Sequence, residues 1–99
     1  MTICATYWAW EKKGLTPLQK LVLISIADRP EGGDDVSLCK FSIESVSEFC
    51  NFAHRDVSDV VNDLISRNFL RIVEKSKSDN KRELLLCKLN IEDLPKDTW

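Results

Sequence analysis

One stretch of the chain repeats its apolar residues with the period of an α-helix, and this periodicity constrains the fold most. Between His54 and Arg67, apolar side chains recur at i, i+3, i+4, i+7 and i+8. They are Val57, Val60, Val61, Leu64 and Ile65. The residues between them are mostly polar, so the stretch has one face to bury and one to leave in solvent. The spacing predicts an amphipathic helix near residues 54–67.

A second helix is predicted from its capping residues. Thr16 can cap the N-terminus, Pro17 suits the first helical position because its missing N–H is not needed there, and Gln19 can close a capping box. The residues that follow are apolar on nearly every face. We therefore expect a buried core helix near residues 16–28.

Two further elements complete the predicted domain. Ser42 is placed to cap a short helix near residues 42–50, and Asn51 is placed to end that helix in the left-handed conformation. After the amphipathic helix, two β-prone runs flank a polar tip. This pattern predicts an antiparallel hairpin near residues 70–89.

The order helix, helix, turn, helix, hairpin is typical of a winged helix. We therefore predict an α+β fold: a single winged helix-turn-helix domain over residues 1–99, with three helices and a C-terminal β-hairpin wing. Its core spans about residues 8–89, and residues 90–99 form a tail. A set of apolar residues is expected to be buried together: Leu21, Ile24, Val46, Val57, Val61, Leu64 and Leu85.

Length and composition exclude several classes of protein. A chain of 99 residues, 43% apolar and 30% charged, suits one globular domain and not a disordered or collagen-like chain. The longest apolar stretch, residues 21–27, is interrupted by Ser25 and is too short to cross a membrane, and the N-terminal segment lacks the features of a secretory signal. The sequence therefore predicts a cytoplasmic protein.

Charge is distributed unevenly along the chain. The net charge is −2, but residues 71–91 hold 6 basic and 3 acidic side chains, whereas residues 1–70 hold 7 basic and 10 acidic ones. Cations cluster at the predicted hairpin tip, in Lys75, Lys77, Lys81 and Arg82. Such a cluster can contact nucleic-acid phosphates, although a lysine-rich hairpin tip is also an ordinary device for keeping a sheet edge solvated.

The sequence offers no motif for catalysis, a cofactor or a metal. The cysteines Cys4, Cys39, Cys50 and Cys87 follow neither a disulfide nor a zinc-finger spacing, and buried free thiols are expected. His54 could approach a metal with Cys39 and Cys50, but Cys50 and His54 are predicted to straddle a turn. With 1 histidine and no glycine-rich phosphate loop, the chain is not expected to be an enzyme.

Three aromatic residues near the N-terminus have two interpretations. Tyr7, Trp8 and Trp10 could form a platform on which bases stack, or they could pack beside the core. Because each ring contributes a large buried area, we expect packing.

Several short motifs form a pattern across residues 8–89. They are Trp8-Ala9-Trp10, Leu15-Thr16-Pro17, Ser42-Ile43, Arg55 with Val57, and Phe69-Leu70. The pattern resembles the winged helix-turn-helix domain at the N-terminus of bacteriophage and plasmid replication proteins, and that of short phage DNA-binding proteins. The resemblance implies the same fold and a DNA-binding function in a bacterial host cell, as a regulator or as a relative of replication-origin binders.

The chain departs from this family at positions that bear on DNA binding. Ala53 stands where a Ser or Thr would cap the recognition helix, a loss of about 1 kcal/mol. Asp56, Asp59 and Asp63 stand where the family usually has basic or hydroxyl side chains. One aspartate can accept a hydrogen bond from cytosine, but three on one face oppose the approach of a polyanion.

Two functions follow from these features. The first is binding of double-stranded DNA by the helix and the basic wing. Its expected contact residues are His54, Arg55, Ser58, Asn62, Lys75, Lys77, Lys81 and Arg82.

The second function is protein binding, in which the acidic helix face engages a basic surface of a host or phage protein and inhibits a nucleic-acid-handling or defence complex. Its expected contact residues are Asp56, Asp59, Asp63 and Trp99. The terminal Trp99 would dock onto the partner or onto a second copy of the chain.

Overall fold

The chain folds into helices and strands in a computed structural model that describes residues 3–31, 37–77 and 83–91. The elements are α1 (Ile3–Glu11), α2 (Pro17–Ala27), β1 (Leu38–Phe41), α3 (Ile43–Cys50), α4 (His54–Ser66), β2 (Leu70–Lys77) and β3 (Glu83–Leu89). The described strands form one antiparallel sheet in the order β1-β3-β2. The described part of the chain is therefore α+β, with four helices and a three-stranded antiparallel sheet.

The predicted capping residues begin and end the helices. The Thr16 hydroxyl accepts a hydrogen bond from the Gln19 backbone N–H at 3.2 Å, and the Gln19 side chain accepts one from the Thr16 N–H at 2.9 Å. Ser42 caps α3 in the same way, with Ser45 as its partner. Asn51 ends α3 with a left-handed φ of 60°. As a result, α2, α3 and α4 lie within one residue of their predicted bounds.

Two predicted counts differ from the structure, because the described residues form four helices and three strands where three helices and a hairpin were predicted. The sequence did indicate a short strand by weak alternation over residues 36–41, and β1 lies there. No helix is predicted over residues 3–11, where α1 lies, because the apolar residues of this segment show no helical stripe. Packing against α2 stabilises α1 instead, and Ala5, Trp8 and Ala9 are buried there. β1 adds a third strand to the hairpin because it pairs with β3, with Cys39 opposite Cys87.

The core contains most of the residues that were expected in it. Val46, Val57, Val61, Leu64 and Leu85 are buried, as predicted.

Leu21 and Ile24 are the exceptions, since they are only partly buried and pack at the margin of the core. α2 instead turns Val22, Leu23 and Ile26 fully inward. A helix that is apolar on nearly every face gives no signal of which face is innermost. The prediction of which α2 residues face the core was therefore wrong for Leu21 and Ile24.

The N-terminal aromatic residues divide between the core and the surface. Trp8 is buried and meets Phe69 edge to face, with ring centroids 6.4 Å apart. Tyr7 and Trp10 are 59% and 63% exposed, so packing was the wrong expectation for both. They lie on the face of α1 that turns away from the core when Trp8 turns inward.

No helix in the described ranges is long and apolar enough to span a membrane.

Replacing Leu64 with Ala should destabilise the protein by about 2–5 kcal/mol, because the side chain is fully buried on the inner face of α4. The free energy of unfolding in urea measures the effect. Ser66→Ala, on the exposed face of the same helix, should change that free energy by no more than about 0.5 kcal/mol. A loss of unfolding free energy below about 1 kcal/mol for Leu64→Ala would mean that α4 turns a different face toward the core.

Candidate nucleic-acid interface

The exposed face of α4 carries a polar stripe. Arg55, Asp59, Asn62 and Ser66 recur at i, i+4, i+7 and i+11, opposite the buried side chains of the helix, and all four are exposed. His54 and Asp56 are also exposed at the beginning of the helix, whereas Ser58 is half-buried. Of the residues expected to contact DNA from this helix, His54, Arg55 and Asn62 are therefore open to solvent and Ser58 is at the margin.

Asp63 differs from the other two aspartates because it is held by contacts within the chain. Its carboxylate accepts a hydrogen bond from the Gln19 side-chain amide and pairs with the Arg67 guanidinium at 3.1 Å. Arg67 also donates to the carbonyl of Gly14 at 3.2 Å. Because Gln19 belongs to the capping box of α2, these contacts join the beginning of α2 to the end of α4. Asp63 thus serves to hold α4 in place, and its charge is compensated by Arg67.

Asp56 lies in the first turn of α4, where a negative charge is favourable. Ala53, the residue before this helix, provides no side-chain hydrogen bond to the exposed backbone N–H groups. A carboxylate in the first turn interacts favourably with the positive end of the helix dipole, an effect typically worth about 0.3–1 kcal/mol at an exposed site. Asp56 therefore offsets part of the missing cap.

A β-bulge in β2 decides on which side of the sheet the lysines of the predicted wing lie. Ile72 pairs with Cys87, but the next pair along the strands is Glu74 with Leu86, so Val73 is an extra residue in β2. After the bulge, Lys75 lies opposite Leu85 and Lys77 lies opposite Glu83.

Paired residues in an antiparallel sheet point to the same face. Leu85 is buried, so its partner Lys75 belongs to the face of the sheet that packs against the helices, and Lys77 follows on the same face two residues on. Without the extra residue, the alternation would place both lysines on the outer face. Both lysine side chains are exposed.

Three of the predicted contact residues, Lys81, Arg82 and Trp99, lie outside the described residues. Among the predicted wing contacts, the structure therefore describes Lys75 and Lys77.

Two exposed phenylalanines near the beginning of α4 were missed by the sequence analysis. Phe49 at the end of α3 and Phe52 in the turn are 57% and 45% exposed. Phe49 and Cys50 are adjacent at the end of the apolar stripe of α3, and the sequence pattern alone does not distinguish which of them faces the core. The structure buries Cys50 and leaves Phe49 in solvent.

The cysteines with described side chains are buried free thiols, as expected. They are Cys39, Cys50 and Cys87. Burial raises the pKa of Cys87 from its ordinary value of 9.0 to about 12, and burial also raises the pKa of Cys50, where Arg29 acts in the opposite direction. Both thiols therefore stay protonated near neutral pH and behave as small apolar side chains. Within the described ranges, no group of three His, Cys, Asp or Glu residues could hold a metal ion.

Comparison of the chain with protein-family models, curated proteins and solved structures finds no match. The assignment of a function therefore depends on the chemistry and the placement of these side chains.

Replacing Asp63 with Ala should destabilise the protein by about 1 kcal/mol, because Gln19 and Arg67 lose a shared, partly exposed carboxylate. Asp59→Ala is the matched control, since it makes the same change on the same helix at an exposed position. The difference in unfolding free energy between the two variants cancels the effect of helix propensity. Equal stability of the two variants would show that the contacts of Asp63 do not hold α4 in place.

Proposed function

We propose that the protein is a winged helix-turn-helix protein that binds double-stranded DNA, with α4 as the recognition helix and the β2–β3 hairpin as the wing. The order α2, β1, α3, α4, β2, β3 supports this arrangement, with α1 as an addition at the N-terminus. A three-residue turn, Asn51 to Ala53, joins α3 to α4, and the left-handed Asn51 permits its sharp change of direction.

The observation that carries the proposal is the position of the wing lysines. Lys75 and Lys77 lie on the side of the sheet where the helices pack, and an added residue in β2 brings them there. A hairpin that only needed solubility could carry its lysines on either face. Placed on the helix side, the two ammonium groups can contact phosphates of a duplex that also meets α4.

The side chains of α4 would read bases in the major groove. Asn62 can make two hydrogen bonds to adenine, and Arg55 can donate two to guanine or contact a phosphate. His54 and Ser58 would add contacts at the beginning of the helix. Asp59 can only accept, so it would read the exocyclic amine of cytosine.

The acidic residues of α4 oppose DNA binding less than their number suggests. Asp63 is compensated by Arg67, and Asp56 lies in the first turn, where it stabilises the helix. Asp59 remains as the aspartate in the centre of the exposed stripe. One carboxylate there is compatible with base reading, whereas three uncompensated ones would not be.

A second function, protein binding, is favoured by Phe49 and Phe52. Exposed aromatic side chains are enriched at the centres of protein interfaces. Phe49 lies at the end of α3 and Phe52 in the turn that leads into α4, whose first turn carries Asp56. A partner with a basic surface and an apolar pocket would fit this end of the helix, and the partner would be a nucleic-acid-handling protein of the host or the phage.

Neutralising the wing lysines tests the first function. The variant Lys75→Gln/Lys77→Gln should weaken binding to all duplex sequences alike, and it should lower the slope of log K against log[salt] by about two units if both lysines contact phosphates. Fluorescence anisotropy with a random-sequence duplex at several salt concentrations measures both effects. Lys13→Gln, at an exposed position before α2, is the control for the loss of a positive charge outside the hairpin, and it should change the slope less than the double variant does. An unchanged slope would contradict the proposed wing contact.

Replacing Asp59 with Asn distinguishes the two functions. A DNA-binding protein should bind random-sequence duplexes more tightly, because the substitution removes repulsion from the centre of the interface. Asp28→Asn, at an exposed position that follows α2, controls for net charge. If the wild-type protein binds no duplex even at low salt, and Asp59→Asn does not restore binding, the protein-binding function is favoured.

A further inference from the structure

Two exposed aromatic rings share one face of α1. Tyr7 and Trp10 are each more than half exposed, and they are three residues apart in this helix. Side chains at i and i+3 are neighbours on the surface of a helix, with Cβ atoms about 5–6 Å apart. The two rings therefore form one aromatic surface, which we call the aromatic face of α1. The proposed contact with duplex DNA does not use it.

A lysine of α2 lies against the ring of Trp10. The Lys20 ammonium group donates to the Trp10 carbonyl at 2.8 Å and lies over the indole ring, 5.9 Å from its centroid. A cation within about 6 Å of a tryptophan ring is attracted to its π electrons. Because the indole is largely exposed, most of its surface stays open although Lys20 lies beside it. An open aromatic ring and a positive charge are therefore side by side.

Tyr7 is oriented by a contact within α1. Its hydroxyl donates a hydrogen bond to the Glu11 carboxylate, one turn further along the helix. This hydrogen bond and the negative charge of Glu11 raise the pKa of Tyr7 above its ordinary value of 10.0, so the hydroxyl stays neutral at physiological pH. The hydroxyl lies at the edge of the ring. The bond to Glu11 therefore orients the ring without covering its two faces.

The charge around the aromatic face is positive, although the chain as a whole is negative. Residues 3–27 hold three lysines and one acidic residue, Glu11. The lysines are Lys12, Lys13 and Lys20. Aromatic rings beside positive charges complement a ligand that combines flat bases with phosphates. A protein partner with a basic surface would instead be repelled from this face.

We propose that the aromatic face of α1 binds unpaired bases of a single-stranded nucleic acid. Every base has a flat π surface that can stack on Tyr7 or Trp10, and Lys20 is placed to contact an adjacent phosphate. The bases of a duplex stack on one another, so an intact duplex does not offer these surfaces. The site is separate from the proposed duplex contact of α4 and the hairpin and does not depend on it.

Fluorescence anisotropy with a labelled thymidine oligonucleotide of about eight nucleotides tests the site. Trp10→Leu and Tyr7→Leu should each weaken binding at least about fivefold, because each variant loses a ring on which a base stacks. The matched controls keep an aromatic ring. Tyr7→Phe should bind as the wild type does, and Trp10→Phe should bind more tightly than Trp10→Leu. Thermal unfolding followed by circular dichroism reports whether each variant is folded.

A second ligand separates stacking from charge. An oligonucleotide of the same length made of abasic residues keeps the phosphates and lacks the bases. It should bind the wild type more weakly than the thymidine oligonucleotide does. The two leucine variants should not weaken its binding further, because they remove no positive charge.

Three results of these titrations would overturn the proposal: equal affinity of the wild type for the two oligonucleotides, no binding of either at low salt, or unchanged affinity in either leucine variant. A wild-type dimer that Trp10→Leu converts to a monomer in analytical ultracentrifugation would also overturn it, because a second copy of the chain would then cover this face. Duplex binding through Lys75 and Lys77 is measured separately, so either proposal can fail without the other.

Discussion

The pairing of β3 with strands on both of its sides is the constraint on which the rest of the structure depends. Leu85, Cys87 and Leu89 alternate along this strand and face the helices, so they define an inner and an outer face of the sheet. Each position in β1 and β2 then takes its face from its partner in β3. A single extra residue, Val73, reverses this assignment for the part of β2 that follows it, residues 74–77. The reversal separates the cations of the hairpin into two groups, with Lys75 and Lys77 on the inner face and Arg71 with Lys88 on the outer face.

The position of α4 is set by a stripe of apolar side chains and by polar contacts to the beginning of α2. The stripe fixes which face of the helix is buried. Gln19 both closes the capping box of α2 and donates to Asp63, and Arg67 joins the same carboxylate to the Gly14 carbonyl. The loop before α2 and the end of α4 are thereby held together. An aspartate that looks unfavourable for DNA binding from the sequence has a structural role in the fold.

The sequence predicted the elements whose signals are local and failed where long-range packing decides. Thr16, Ser42 and Asn51 act on neighbouring residues, so three helices could be placed almost to the residue. α1 has no such signal, because its stability comes from burying Trp8 against the rest of the core. The bulge at Val73 depends on pairing with β3, and the hydrogen bond of Asp63 depends on Gln19, so both involve residues distant in the sequence. For the candidate site, the sequence therefore predicted exposed polar side chains on α4 and a basic hairpin, but it could not show that Lys75 and Lys77 lie on the helix side of the sheet.

Our central proposal is that α4 and the inner face of the β2–β3 hairpin act together as one nucleic-acid surface. Mapping backbone-amide chemical shifts during titration with a short random-sequence duplex tests this claim most directly. The account predicts that residues 54–62 of α4 and residues 75–77 of β2 respond together, with a common dissociation constant, and that the amides of the exposed α1 residues Tyr7 and Trp10 do not. Shifts confined to one of the two elements, or no shifts in either at low salt, would contradict it.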